Sequence, residues 1–124
     1  MEDLRYHLTV RLYRQDKSFG PGPMRLLRGV EESGSLHQAA EAMGMSYSKA
    51  WTLLGRLEQE WGFPLLDRQS GGPRGGGSSL TPKGRDLLER YEAMCAQVEQ
   101  AAQKAFAQYF QSLGAPLPAG QGSF

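Results

Sequence analysis

Residues 46–49 read Ser-Tyr-Ser-Lys, and Thr52 and Arg56 follow at the spacing of successive helical turns. Hydroxyls both donate and accept hydrogen bonds, whereas the Lys ammonium and the Arg guanidinium only donate and carry charge. Grouped at the start of a helix, these residues make no nucleophile; they make a surface that holds phosphate oxygens and the edges of bases. A helix N-terminus adds free N–H groups and partial positive charge, which suit an anion. Ser46 and Ser48 offer hydroxyls to base edges or phosphates. Tyr47 can donate to phosphate or stack on a sugar, and Lys49 can meet phosphate or read guanine. The Thr52 methyl suits thymine, and Arg56 suits the backbone. Trp51 borders an apolar stripe and reads as packing.

Bond-making chemistry has no comparable grouping. His7 and His37 each stand alone and read as solvated side chains, and the carboxylates are spread along helix surfaces. Cys95 is the one cysteine, so zinc-ligand spacing is missing and no internal disulfide can form. A reducing, intracellular setting follows. The stretch GGPRGGG is not a phosphate-binding loop, because no Gly-Lys-Ser/Thr comes after it. The expectation is a non-enzyme with no metal and no cofactor. A net charge of +1 over 124 residues leaves nucleic acid open, since the distribution of charge matters more than its sum. That length suits one ordinary domain. The N-terminal residues are too charged for a signal peptide, and no apolar run nears the roughly 20 residues a bilayer needs. A cytoplasmic protein is expected.

The elements that must aim residues 46–49 can be read locally. Residues 5–14 alternate: Tyr6, Leu8, Val10 and Leu12 share one face, which predicts a strand with one buried side. A second short strand fits near Ser18 and Phe19. A first helix is expected over 24–32, with Pro23 in its first turn and Gly34 ending it. Ser35 then caps a short helix over 36–43, and Gly44 permits a tight turn with positive φ. Ser46 caps the next helix, 47–61, which Gly62 ends. Ala50, Leu54, Leu57 and Trp61 form its apolar stripe. Small Ala39 and Ala40 let one helix lie close across another, with Met43, Met45 and Ala50 filling the angle. A bracing helix, a glycine turn and a second helix with an exposed polar start describe a helix-turn-helix.

Residues 65–81 predict a hairpin wing with a glycine-rich, basic tip. Arg68 and Arg74 would approach the DNA backbone or the minor groove. Thr81-Pro82 starts a long helix over 82–112, about 45 Å at 1.5 Å per residue. Lys83 and Arg85 in its first turn could add phosphate contacts, or simply face solvent. Further along, Leu87, Tyr91, Met94, Val98, Ala105 and Tyr109 recur at helical spacing, with Cys95, Ala102 and Phe106 widening the stripe. A helix that long needs a partner for its apolar face, and the same helix of a second chain is the simplest one. Residues 113–124, rich in Gly and Pro, are expected to be a disordered tail.

Taken together, GSLHQAAEAMGMSYSKAW and GFPLLDRQSGGPRGGGSSLTPKGRDLLERY resemble the N-terminal domain of the molybdate-responsive ModE-type regulators. The helix-turn-helix part is also similar to LysR-type regulators. The first of these families is favoured by FGPG before the first helix, SY-x-x-AW in the second helix of the motif, and GG-x-x-GGG in the wing. The resemblance spans roughly residues 10–107. It implies a dimeric transcription factor whose Ser46, Tyr47, Ser48 and Lys49 lie in the reading segment, Arg74 in the wing, and the helix from Pro82 in the dimer contact. The family's C-terminal molybdate-binding domains are not expected within these 124 residues. Molybdate or tungstate as effector is therefore implied by resemblance alone, and the effector stays unassigned. The expected fold is mainly α with a small β component: a winged helix-turn-helix over 1–81 with an N-terminal strand, then the long helix. The expected partners are an inverted-repeat DNA operator and a second copy, with no membrane. A protein-interaction module without DNA, and an oxyanion-binding protein with its site at the dimer interface, are the alternatives.

Overall fold

The computed structural model describes residues 4–15, 17–68 and 77–113, with backbone alone at Lys17, Ser18 and Arg68. The order is β1 (Leu12–Arg14), β2 (Lys17–Phe19), α1 (Pro21–Ser33), α2 (Leu36–Ala42), α3 (Tyr47–Trp61), β3 (Leu66–Arg68), β4 (Ser78–Leu80) and α4 (Pro82–Phe110). A single 3-10 turn, Gln111–Leu113, follows α4. The two sheets are each one antiparallel pair: β1 with β2, and β3 with β4. This is the mainly α fold with a small β component that the sequence implies.

The helix boundaries are set by local chemistry. Pro21 opens α1 with its fixed φ, so the helix begins three residues before the expected position 24, and Pro23 also lies in its first turn. Gly34 closes it at φ 71°, its N–H donating to Val30 O at 2.8 Å. The Ser35 hydroxyl accepts from Gln38 N at 3.1 Å and caps α2. After Ala42 the chain makes a paired helix ending: Gly44 N donates to Glu41 O and Met45 N to Ala40 O. Gly44 stands at φ 68°, a conformation that costs other residues energy through their Cβ. The Ser46 hydroxyl then accepts from Lys49 N at 3.1 Å, and α3 runs over the expected span to Gly62 at φ 82°.

Contacts divide the chain into two compact units, Arg11–Arg90, and Met1–Val10 together with Tyr91–Phe124. The division crosses the boundary expected between residues 81 and 82, because the N-terminal segment groups with the later part of α4. In the first unit α1 and α2 approach closely. A Cβ built on Gly29 of α1 would lie 2.9 Å from the Ala39 methyl, so hydrogen on one side and methyl on the other set the spacing. Phe19, Leu26, Leu27, Val30, Leu36, Ala40, Ala50, Leu54, Leu57, Leu65, Leu66 and Leu80 are buried. Met43 and Met45 are half-buried at the turn they were expected to fill, and Trp61 is half-buried at the end of its stripe.

In the second unit the expected strand over 5–14 is corrected. Only Leu12–Arg14 pairs in a ladder, and residues 4–10 carry no regular structure. The alternation itself is real: Tyr6, Leu8 and Val10 are half-buried while Arg5, His7 and Thr9 are exposed. A helix covers the apolar side in place of a sheet neighbour. Tyr6 donates its hydroxyl to Glu99 Oε2 at 2.6 Å and meets the Phe106 ring edge-on at 5.0 Å. Tyr91 donates to Val10 O at 2.7 Å. Side-chain periodicity reports which face is covered, and a helix satisfies it as well as a strand does.

Candidate nucleic-acid interface

α3 has two faces of opposite character. Ala50, Leu54 and Leu57 are buried. On the other side Ser48, Lys49, Thr52 and Arg56 are all exposed, and so are Ser46 and Tyr47 at the tip. At 3.6 residues per turn, positions 48, 52 and 56 stack along one line with 49 beside them, nearly opposite the buried stripe. The reading segment deduced from residue types is therefore one continuous solvent-facing surface. Gln59 shares it one turn further on and is exposed too, though its amide gave no signal in the sequence.

Two of these side chains are partly committed to the helix. Ser46 Oγ caps the first turn, leaving its remaining valence for a ligand. Thr52 Oγ1 donates back to Ser48 O at 3.0 Å, which occupies its hydroxyl hydrogen and leaves the methyl unengaged by that bond. Trp51 is half-buried, in keeping with packing, and also meets Tyr47 edge-on at a centroid distance of 6.1 Å. His37 is exposed as expected, but it is not merely solvated: its ring lies 5.5 Å from that of Tyr47.

The hairpin beside α3 is pinned at both ends. Glu58, on α3, accepts from Leu65 N at 2.7 Å and Leu66 N at 3.4 Å. Thr81 donates its hydroxyl to Pro64 O at 2.7 Å and its N–H to Leu65 O at 3.0 Å, while Oγ1 accepts from Gly84 N. Ser78 N donates to Gly34 O at 2.9 Å, tying β4 to the end of α1. Leu66 pairs with Leu80, Asp67 with Ser79 and Arg68 with Ser78. The Arg68 side chain and all of Arg74 lie outside the described residues, as does the tail over 114–124.

The basic residues at the start of α4 have occupations that their positions in the sequence did not disclose. Arg85 faces Glu31 of α1 in a fork, Nε to Oε1 at 3.1 Å and Nη2 to Oε2 at 3.2 Å. The carboxylate's hydrogen bonds, and then its charge, hold the guanidinium more firmly protonated. Arg85 thus also clasps α1 to α4. Lys83 sits over the Phe63 ring with Nζ 5.3 Å from the centroid, a cation–π contact that leaves the ammonium exposed.

Of the residues assigned to a dimer seam, Leu87, Tyr91 and Cys95 are buried by their own chain. They are corrected to core positions, because the stripe is wide enough to serve both an inner and an outer contact. Val98, Ala102 and Phe106 are half-buried, and Met94, Ala105 and Tyr109 are exposed. Phe110 and Leu113 add exposed apolar surface beyond them. Among the described residues no group of three His, Cys, Asp or Glu side chains could hold a metal ion, and no helix is long and apolar enough to cross a membrane.

Helix, glycine turn and exposed second helix, followed by a hairpin, define a winged helix-turn-helix. The chain belongs to the bacterial regulatory helix-turn-helix proteins of the lysR family, whose model matches residues 23–85. It is 35% identical over 94 residues to the transcriptional regulator ModE of Haemophilus influenzae. It is 38% identical over 96 residues to the DNA-binding transcriptional dual regulator ModE of Escherichia coli. These matches take in 76% and 77% of this chain but only 36% of either relative. Among solved structures, the DNA complex of the CbnR DNA-binding domain superposes with a TM-score of 0.53 at 22% identity, covering 68% of this chain and 92% of that one. The LysR family regulator VV2_1132 gives a TM-score of 0.51 at 27% identity, over 68% of this chain and 27% of that one.

Proposed function

We propose that the chain binds double-stranded DNA as a two-fold dimer and so regulates transcription, acting in the cytoplasm and catalysing no reaction. The observation that carries this is the open face of α3: Ser48, Lys49, Thr52 and Arg56 point to solvent while the opposite side is sealed in the core. In this reading α3 enters the major groove, Lys49 and Ser48 meet base edges or phosphates, and the hairpin lies along the backbone or minor groove. The two ModE relatives are named as transcriptional regulators, which supports the same reading. The exposed Met94, Tyr109, Phe110 and Leu113 supply an apolar surface for the second copy. A two-fold protein then calls for an inverted-repeat site whose half-sites lie a whole number of helical turns apart.

Selection of bound sequences from a random DNA pool tests this directly. Enrichment of an inverted repeat, with affinity that falls as salt rises, is the expected result. Ser48→Ala combined with Lys49→Ala should weaken binding to the selected site by about 10-fold or more while thermal unfolding is unchanged. No enrichment at low salt, or full selectivity in that double variant, refutes the assignment.

A further inference from the structure

The tip of α3 carries an aromatic arrangement that packing does not require. His37, on α2, lies with its ring centroid 5.5 Å from that of Tyr47 and tilted by 33°. Trp51, one turn along α3, meets the same tyrosine edge-on at 6.1 Å and 82°. His37 is exposed and Tyr47 is 42% exposed, so the pair adds little to the core. Tyr47 is the first residue of α3, directly after the capping Ser46, so its backbone is already held. What remains free is the ring. A tilted imidazole against it from one element and a perpendicular indole from another restrict where the phenol can point.

We propose that His37 is a positioning residue for DNA recognition: by packing its tilted ring against Tyr47 it holds the phenol at the tip of α3 in the orientation that meets the DNA backbone. This rests on the DNA-binding reading above. A tyrosine left free must be ordered when DNA arrives, and that cost is deducted from affinity; a tyrosine ordered beforehand has met it already. Residue 37 thus acts through residue 47 and makes no contact with DNA of its own.

The test uses the intact chain and a duplex selected by the wild type. His37→Ala is expected to weaken binding about 2- to 10-fold, the range of one aromatic pair. His37→Phe, which keeps a ring, is expected to restore it, whereas His37→Gln, polar but without a ring, is not. In a Tyr47→Ala background the His37→Ala change should have no further effect, since a residue acting through a partner loses its influence with that partner. Because His37 is exposed, thermal unfolding should be unaltered, and the Tyr47 ring protons should shift in the NMR spectrum of free His37→Ala protein. Equal losses with and without Tyr47, or wild-type affinity in His37→Ala, overturn the inference while the DNA reading stands. Absence of binding by the wild type overturns both.

Discussion

Gly55 and Gly84 both sit inside helices, and alanine should act on them in opposite directions. A Cβ on Gly55 meets nothing within 4 Å. Gly55→Ala should therefore raise stability by about 0.5–1 kcal/mol, the usual helix preference of alanine over glycine. At Gly84 a Cβ would stand 3.1 Å from Leu65 Cα and closer still to its carbonyl oxygen. Backbone cannot swing aside as a side chain can, so Gly84→Ala should cost about 1–3 kcal/mol despite the same propensity gain. Urea unfolding of both variants checks the pair, and matching signs would contradict the close approach of α4 to Leu65. Only some of this scale is legible in the sequence. The capping role of Ser46 and the turn role of Gly44 could be read because cap and glycine act on backbone a few residues away. Gly84 could not be read in this way, because its reason is Leu65. Nor could Arg85, whose partner Glu31 lies 54 residues away, or His37, whose partner is on the next helix.

Among elements, the hairpin and α3 form one device through Glu58. Its carboxylate takes the N–H of Leu65, a residue with no exposed surface. Glu58→Ala leaves that donor buried without a partner and should cost about 1–3 kcal/mol. Hydrogen exchange at the Leu65 amide should quicken in this variant, and Glu58→Gln, which keeps an acceptor, should retain most of the protection. The N-terminal segment has its own tie to α4. Partial burial, then the hydrogen bond to Glu99, then the charge of Glu99 push the Tyr6 phenol up to about 12. Its unfolded value is near 10, so the folded state holds the proton more tightly. The stabilisation from this contact is complete below pH 10 and is lost as pH rises from about 10 to 12. Thermal melts of the wild type and Tyr6→Phe should accordingly differ at neutral pH and converge above that window. Alternation in residues 5–12 was visible without coordinates, but whether a strand or a helix covered it was not.

At the scale of the whole molecule, the outer side of α4 carries exposed apolar side chains. Met94 is 45% exposed and Tyr109 is 67% exposed, on a helix whose Tyr91 and Cys95 are turned inward. Met94→Glu with Tyr109→Glu should place charge in the proposed subunit contact and shift sedimentation equilibrium toward the monomer. Each subunit should keep its helical circular dichroism, because neither side chain is buried within its own chain. Weaker binding to the full inverted repeat should accompany the loss, with binding to a single half-site little altered, since two linked half-sites reinforce one another. An unchanged mass would move the subunit contact elsewhere.

Local chemistry in the chain alone determined where the helices of the motif begin and end, which face of α3 is apolar, and that Ser46 to Lys49 open a helix. Those features depend on residues within a turn or two of each other, so a linear reading reaches them. Tertiary structure decided which apolar positions of α4 are core and which are free, that Arg85 answers Glu31, and that a helix covers the N-terminal segment. Such choices depend on partners brought near only by the completed fold, where burial and pairing compete among every candidate at once.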